Sequence, residues 1–333
     1  MPGIIPFGRS VAAVLMGLSF LYGHAGAAEN AEDQAAFKNV SAGTHAFEVS
    51  VDGAKRRYVI HVPRSYNPVR KWPVVVVFHG GGGTARSAMR DGWTESADEE
   101  SFLAVFPEGT SPHPSRPGRF LDNPQTWNDG SGRFNVGAAK RNVDDVGFVR
   151  VLLADLAARF AVDHQRIFVT GFSNGASMSF KIGRELSDRV AAIAPVAGAD
   201  WAVDPPELGR PISLLYLTGT AEPLNPIGGG AVKIGQKTFG TKPPMRDMIQ
   251  RWTQALGCQS EPKSRRDEDY VKVVGYGPCE QGSEVVLYTL EGHGHHWPGG
   301  RSALPESLAG KNTTKLKATE VIWEFFKWQA KVD

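Results

Sequence analysis

Apolar and polar positions alternate in two short runs, His45–Val51 and Arg57–His61, separated by a segment containing Asp52-Gly53. That pattern predicts a β-hairpin. Val74–Phe78 is a continuous β-branched and aromatic run, as expected of a central parallel strand covered on both faces. Phe102–Phe106, Ile167–Thr170, Ala191–Val196, Ile212–Thr218 and Glu284–Leu290 predict five more strands, eight in all. Helical spacing predicts helices over Thr84–Glu100, Val146–Phe160, Ala176–Ser187, Pro244–Leu256 and Thr314–Ala330. Trp323, Phe325, Phe326 and Trp328 read as packing residues of the last helix. A hairpin followed by alternating strands and helices predicts a single α/β domain, with a mostly parallel eight-stranded sheet and helices on both faces.

Two segments break the alternation. Ser111–Asn142 and Pro223–Pro243 are long and rich in proline and glycine, and both follow strand C-terminal ends. Open α/β sheets bind ligands at that edge, and long irregular loops are usually functional. The plainer alternative is a solvent-exposed insertion.

The N-terminus predicts a secretory signal peptide over residues 1–27, leaving 28–333 as the folded domain. Arg9 supplies a positive charge, Val11–Tyr22 is apolar but too short to span a bilayer, and Ala25-Gly26-Ala27 is a small-residue cleavage site. An uncleaved anchor is the alternative. Export to the periplasm or the extracellular medium follows, with no membrane attachment after cleavage. Hydrophobic content of 41% and charged content of 22% are ordinary for a soluble globular chain. The net charge of +2 and the lack of a long basic run give no reason to expect nucleic acid. Cys258 and Cys279 read as a disulfide in an exported protein, with two free buried thiols as the alternative. Nothing in the sequence indicates an oligomeric state.

Gly171-Phe172-Ser173-Asn174-Gly175 matches G-x-S-x-G between the strand Ile167–Thr170 and a helical pattern. Strand, glycine-flanked turn and helix are the context of a nucleophile elbow, with Ser173 as the nucleophile. Such a serine needs a base and an acid that orients the base, in chain order Ser, Asp/Glu, His. Glu222 is the first acid after the Ile212–Thr218 strand. His293, His295 and His296 follow the last strand. Oxyanion donors are expected from the Asn174 N–H and from the glycine turn His79–Thr84. That turn lacks the G-K-[ST] ending of a phosphate loop, and His79 reads as structural. The histidine cluster could instead hold a metal, but only Glu291 is a nearby acid and no H-E-x-x-H occurs. Neither metal nor cofactor is expected. Asp144 and Asp145 read as helix-capping residues.

The chain resembles the polyhydroxybutyrate depolymerase / LpqC-like esterases of the α/β-hydrolase superfamily, which are related to feruloyl and acetylxylan esterases. Phe78-His79-Gly80-Gly81-Gly82-Gly83, Phe106-Pro107-Glu108-Gly109, Trp127-Asn128 and Val143–Phe148 carry the resemblance. So do the elbow, Gly219–Pro226 and Gly294-His295-His296-Trp297-Pro298-Gly299, in family order across almost the whole mature chain. The resemblance implies a secreted ester hydrolase with an acyl-enzyme. Its G-H-x-W-P-G motif implies His295 as the base, and its cysteines imply the Cys258–Cys279 bridge. It implies Glu222 as the acid where the family usually has Asp, with Asp200 as the fallback. Gly81 and Asn174 would then donate to the oxyanion. Trp127 and Trp297 would offer flat faces to a polyester segment or a phenolic acyl group, ordinary packing being the alternative. No polymer-binding module follows the catalytic region, which argues against attack on solid polymer. A feruloyl or acetylxylan esterase with the same triad is the alternative within enzymes. A non-catalytic binding protein on a hydrolase scaffold is the alternative outside them.

Overall fold

Val74 and Val76 face one side of the central sheet, and Val75 and Val77 face the other. All four are buried, so this strand is covered on both faces, as its unbroken apolar run requires. Full burial of one such side chain contributes about 1.5–3 kcal/mol. The computed structural model describes residues 40–330 except 121, 134, 135, 235, 236, 302 and 303. The leader expected over residues 1–27 lies outside the described residues.

Twelve strands are described: β1 Gly43–Val51, β2 Ala54–Val62, β3 Trp72–Phe78, β4 Leu103–Pro107, β5 Val162–Phe172, β6 Ala192–Val196, β7 Ser213–Gly219, β8 Gly230–Ile234, β9 Lys237–Lys242, β10 Ser264–Glu268, β11 Val271–Tyr276 and β12 Val285–Leu290. Ten form one sheet in the order β1-β2-β4-β3-β5-β6-β7-β12-β11-β10, and β8 and β9 pair separately. The centre, from β4 through β3, β5, β6 and β7 to β12, is parallel. Antiparallel pairs flank it: β1 with β2 and β2 with β4 on one side, β12 with β11 and β11 with β10 on the other. The fold is α/β, with a mixed, mostly parallel sheet and flanking helices.

Helices Asp145–Arg159, Asn174–Glu185 and Met245–Ala255 bury Leu152, Phe180 and Trp252 on one face. Helices Trp93–Glu100 and Ala318–Phe326 bury Trp93 and Trp323 on the other. Asp144 caps its helix, accepting from the Gly147 N–H at 2.7 Å. Asp145 does more than cap. It is buried and paired with Arg56 at 2.6 Å, and it accepts from the Asn128 N–H at 2.6 Å.

The sheet is wider than the eight strands expected. All eight are present, and β10 and β11 extend the far edge. β10 reads Ser-Arg-Arg-Asp-Glu and is mostly exposed, so it carries no apolar alternation to announce it. The helix expected over Thr84–Glu100 is two, Ala85–Met89 and Trp93–Glu100, broken at Gly92, whose φ of 89° is left-handed. The last helix is shorter than expected, and Trp328 beyond it is 67% exposed instead of packed.

Candidate active site

Ser173 sits at the tip of β5 with φ 55° and ψ −116°, immediately before the helix Asn174–Glu185. A non-glycine residue at positive φ is strained and persists only where its surroundings hold it. The flanking glycines make the hold possible. A β-carbon on Gly171 would lie 2.5 Å from Gly175 O, and one on Gly175 would lie 2.4 Å from Phe78 O. The Ser173 N–H donates to Val196 O at 2.9 Å.

Two loops that follow parallel strands meet the serine. β7 ends at Gly219, where a β-carbon would fall 2.0 Å from His293 O. Bare backbone at Gly219 therefore lets the acid turn run against the histidine loop. Ala221 N–H donates to His293 O at 3.0 Å, and Gly292 N–H donates to Thr220 Oγ1 at 2.8 Å. This close packing brings Glu222 Oε2 within 2.7 Å of His295 Nδ1. His295 Nε2 lies 2.9 Å from Ser173 Oγ. Glu222 and His295 are buried, and the Phe172 ring lies 4.8 Å from the imidazole. Burial pushes the Glu222 carboxyl up, while His295 and Lys242 pull it down.

The other two histidines are used elsewhere. His293 Nδ1 accepts from the Thr313 N–H at 3.1 Å, and its Nε2 lies 3.1 Å from His296 O. His296 Nε2 lies 2.8 Å from Gly310 O. Burial lowers His293, which keeps it neutral. Among the described residues no group of three His, Cys, Asp or Glu side chains converges as metal ligands. His79 is buried; its Nε2 accepts from the Gly109 N–H at 3.0 Å, and its Nδ1 lies 2.8 Å from Gly80 O. Desolvation drives it down to about 4. Asp200 is far from idle, but its partners are Arg184 and Trp252 instead of an imidazole.

Gly81 and Asn174 are adjacent: a β-carbon on Gly81 would lie 3.6 Å from Asn174 Cβ. Asn174 opens its helix, where an N–H has no intrahelical acceptor. Gly82 and Gly83 turn their N–H groups elsewhere, onto Gln125 O and Gly80 O. The Asn174 side chain, unmarked by any sequence motif, ties the 111–142 loop to the elbow. Its Oδ1 accepts from Trp127 N–H at 2.8 Å, and its Nδ2 donates to Trp127 O at 3.1 Å and Asp129 Oδ2 at 2.8 Å.

The two tryptophans expected at the substrate are interior. Trp127 is 0% exposed, donates to His79 O at 2.9 Å and packs edge-on to Phe78. Trp297 is 4% exposed, donates to Thr319 Oγ1 at 3.2 Å and packs edge-on to Trp93. Their indole N–H groups need buried acceptors, and both find them in the protein. An aromatic of the 111–142 loop that does face outward is Phe120, 52% exposed. Its ring lies on the glycine turn after β3: a β-carbon on Gly82 would fall 2.5 Å from Phe120 Cδ2. Exposure of a lone phenylalanine has no sequence signal.

Cys258 and Cys279 form a disulfide. No helix among the described residues is long and apolar enough to cross a membrane.

No family model matches the chain. It is 27% identical over 300 residues to NocK, a protein named as an esterase, from Nocardia uniformis subsp. tsuyamanensis, covering 85% of this chain and 82% of that one. It is 26% identical over 255 residues to feruloyl esterase B of Piromyces equi, covering 72% of this chain and 42% of the relative, less than half its length. Poly(3-hydroxyalkanoate) depolymerase C of Paucimonas lemoignei matches at 26% over 129 residues, 39% of this chain and 28% of that one. The match to this depolymerase therefore spans a minor part of the chain, while the matches to the two esterases span most of it. Among solved structures, the acetyl xylan esterase from Aspergillus awamori has the same fold, with a TM-score of 0.50 at 15% identity, covering 75% of this chain and 94% of that one.

Proposed function

We propose that this chain, a distant homologue of the α/β-hydrolase esterases and itself a carboxylic ester hydrolase, works by a Ser173–His295–Glu222 triad on feruloyl or acetyl esters of plant cell-wall type. The observation that carries the reading is the unbroken hydrogen-bond chain from Ser173 Oγ through both imidazole nitrogens to Glu222 Oε2. Ser173 attacks the ester carbonyl as His295 Nε2 takes its proton. The Gly81 and Asn174 N–H groups stabilise the oxyanion. His295 then returns the proton to the leaving alkoxide, and the acyl-enzyme forms. Water attacks the acyl-enzyme with His295 again as base, releasing the acid and restoring the serine. Glu222 holds the Nδ1–H tautomer throughout.

The longer match to a feruloyl esterase favours cell-wall esters over the polyester that leads the sequence reading. The partial match to a depolymerase keeps hydroxyalkanoate oligomers as the second reading. The disulfide and the expected leader support action outside the cytoplasm. A panel of methyl ferulate, acetylated xylan and hydroxybutyrate oligomers tests the substrate. Fastest turnover on the oligomers would reverse the order. A fluorophosphonate probe should label Ser173 of the folded protein, and a label mapped elsewhere would remove the triad.

A further inference from the structure

Lys242 closes β9 with its side chain inside the protein, 1% exposed. Its Nζ donates to Pro226 O at 3.2 Å and Asn225 O at 3.4 Å, on the loop that carries Glu222. Asn225 in turn donates to Gly198 O at 3.1 Å and to the Tyr216 hydroxyl at 3.2 Å, which pins that loop to the sheet. Two carbonyls would be served by any donor. An ammonium removed from water is unfavourable unless an opposite charge accompanies it. The acid whose charge reaches Lys242 is Glu222. Glu222 has the complementary shortage. Its Oε2 meets His295, but its Oε1 is buried with no hydrogen-bond partner among the described residues.

Resting on the triad reading above, we propose that Lys242 is a positioning residue. Its ammonium clamps the loop of Glu222 and supplies the countercharge that keeps that carboxylate ionised beside His295. Burial pulls Lys242 down to about 8 while Glu222 pushes it back, so the ammonium is the main form at neutral pH. The other titratable groups around the pair add no compensating charge. The Tyr216 hydroxyl donates to Gly198 O at 2.6 Å and burial raises it, so it stays neutral. His293 is neutral, and Glu291 lies at the exposed end of the loop beside Thr220.

Removing a nearby positive charge raises the proton affinity of the coupled Glu222–His295 pair. The base would then be lost to protonation at higher pH. The test is the pH dependence of fluorophosphonate inactivation, with kcat and KM on a short-chain aryl ester, for wild type, K242Q and K242R. K242Q keeps a donor and removes the charge; K242R keeps the charge. In K242Q the acidic limb should move up by about one pH unit or more, with kcat below the limb falling about tenfold and KM little changed. K242R should keep the wild-type limb. If K242Q fails to fold, K242R still decides: above pH 8 the wild-type rate should change as Lys242 loses its proton, and that of K242R should not. A folded K242Q with the wild-type limb, whatever its thermal stability, overturns the proposal and leaves Lys242 a loop clamp. So does a K242R profile that follows the wild type above pH 8. A wild type whose Ser173 is not labelled overturns the esterase reading itself, and the inference with it.

Discussion

Asp200 gives both carboxylate oxygens to Arg184, whose Nε lies 3.0 and 2.9 Å from them and whose Nη2 lies 2.7 Å from Oδ2. The Trp252 indole N–H adds a third donor at 2.8 Å. With its acceptors filled, Asp200 anchors the loop after β6 to two helices. The acid beside the imidazole is Glu222. Glu222→Gln should therefore lower kcat by about 10⁴, the loss expected when the base takes the wrong tautomer. Glu222→Asp should keep part of the rate, since only reach changes. Asp200→Asn should lower thermal stability and leave kcat within about tenfold of wild type. Kinetics and melts on the three variants decide. A dead Asp200→Asn beside an active Glu222→Gln would exchange the two assignments.

Asn174 has two separate duties, one for its backbone and one for its side chain. Asn174→Ala keeps the backbone N–H but removes the three hydrogen bonds to Trp127 and Asp129. Trp127 N–H and Asp129 would be left buried with fewer partners, at about 1–3 kcal/mol for each orphaned group. Stability should fall, and kcat should drop about ten- to a hundredfold as the oxyanion turn loses its support. Unchanged kcat and unchanged protease resistance of the 111–142 loop would show that the side chain does not brace the site.

The elbow, the Glu222 loop and the histidine loop are legible in the sequence because chain order and strand ends mark them; order leaves His293, His295 and His296 open, and the family resemblance singles out His295. The glycines at 171 and 175 are required by backbone contacts, so they survive as a readable motif. Six of the eight expected strands are legible because buried parallel strands must be largely apolar, and the β1–β2 hairpin is legible by its alternation. What escapes is set by long-range packing. Trp127 and Trp297 look like ligand-facing aromatics by position, yet their burial depends on partners such as His79 and Thr319. β10 is invisible because an exposed edge strand can be charged at nearly every position. Lys242 escapes because no local pattern marks a buried lysine.

The Cys258–Cys279 bridge encloses the β10–β11 hairpin. It closes a loop of about 20 residues, worth on the order of 3 kcal/mol on the chain-entropy model. The double variant Cys258→Ser/Cys279→Ser should lose about that much in chemical denaturation. Amide exchange should rise first in β10, the edge strand paired only with β11. Stability equal to wild type, or two free thiols in protein recovered from the export compartment, would contradict this.

His79 makes the fold sensitive to acid. Its ordinary value in an unfolded chain is about 6.5, and burial holds it at about 4 in the folded protein. The unfolded chain therefore binds the proton first as pH falls. The full stability is present above about 6.5 and is lost progressively down to about 4, by roughly 3 kcal/mol. His79→Gln keeps an acceptor for the Gly109 N–H and does not titrate. Its stability should be flatter between pH 6.5 and 4.5 than that of wild type. Parallel curves would assign the acid sensitivity to other groups.

The 111–142 loop is knotted at its root and open at its tip. Asn123, 1% exposed, accepts from the His113 N–H and donates to the carbonyls of His113, Arg116 and Pro117. Thr110 and Thr126 bridge below it, and Asn174 fastens the end beyond. The Phe120 ring projects from the tip onto the glycine turn at Gly82 without carrying any of these bonds. Such a loop behaves as an interchangeable fitting on a fixed mount. Arg116, Pro117 and Arg119 enter that knot only through backbone atoms, so side chains over residues 114–120 could be exchanged, by drift or by library, with little disturbance to the loop's root. Selection for a new acyl group would then act first on a short surface stretch, and new substrate preferences could arise without repeated reconstruction of the core.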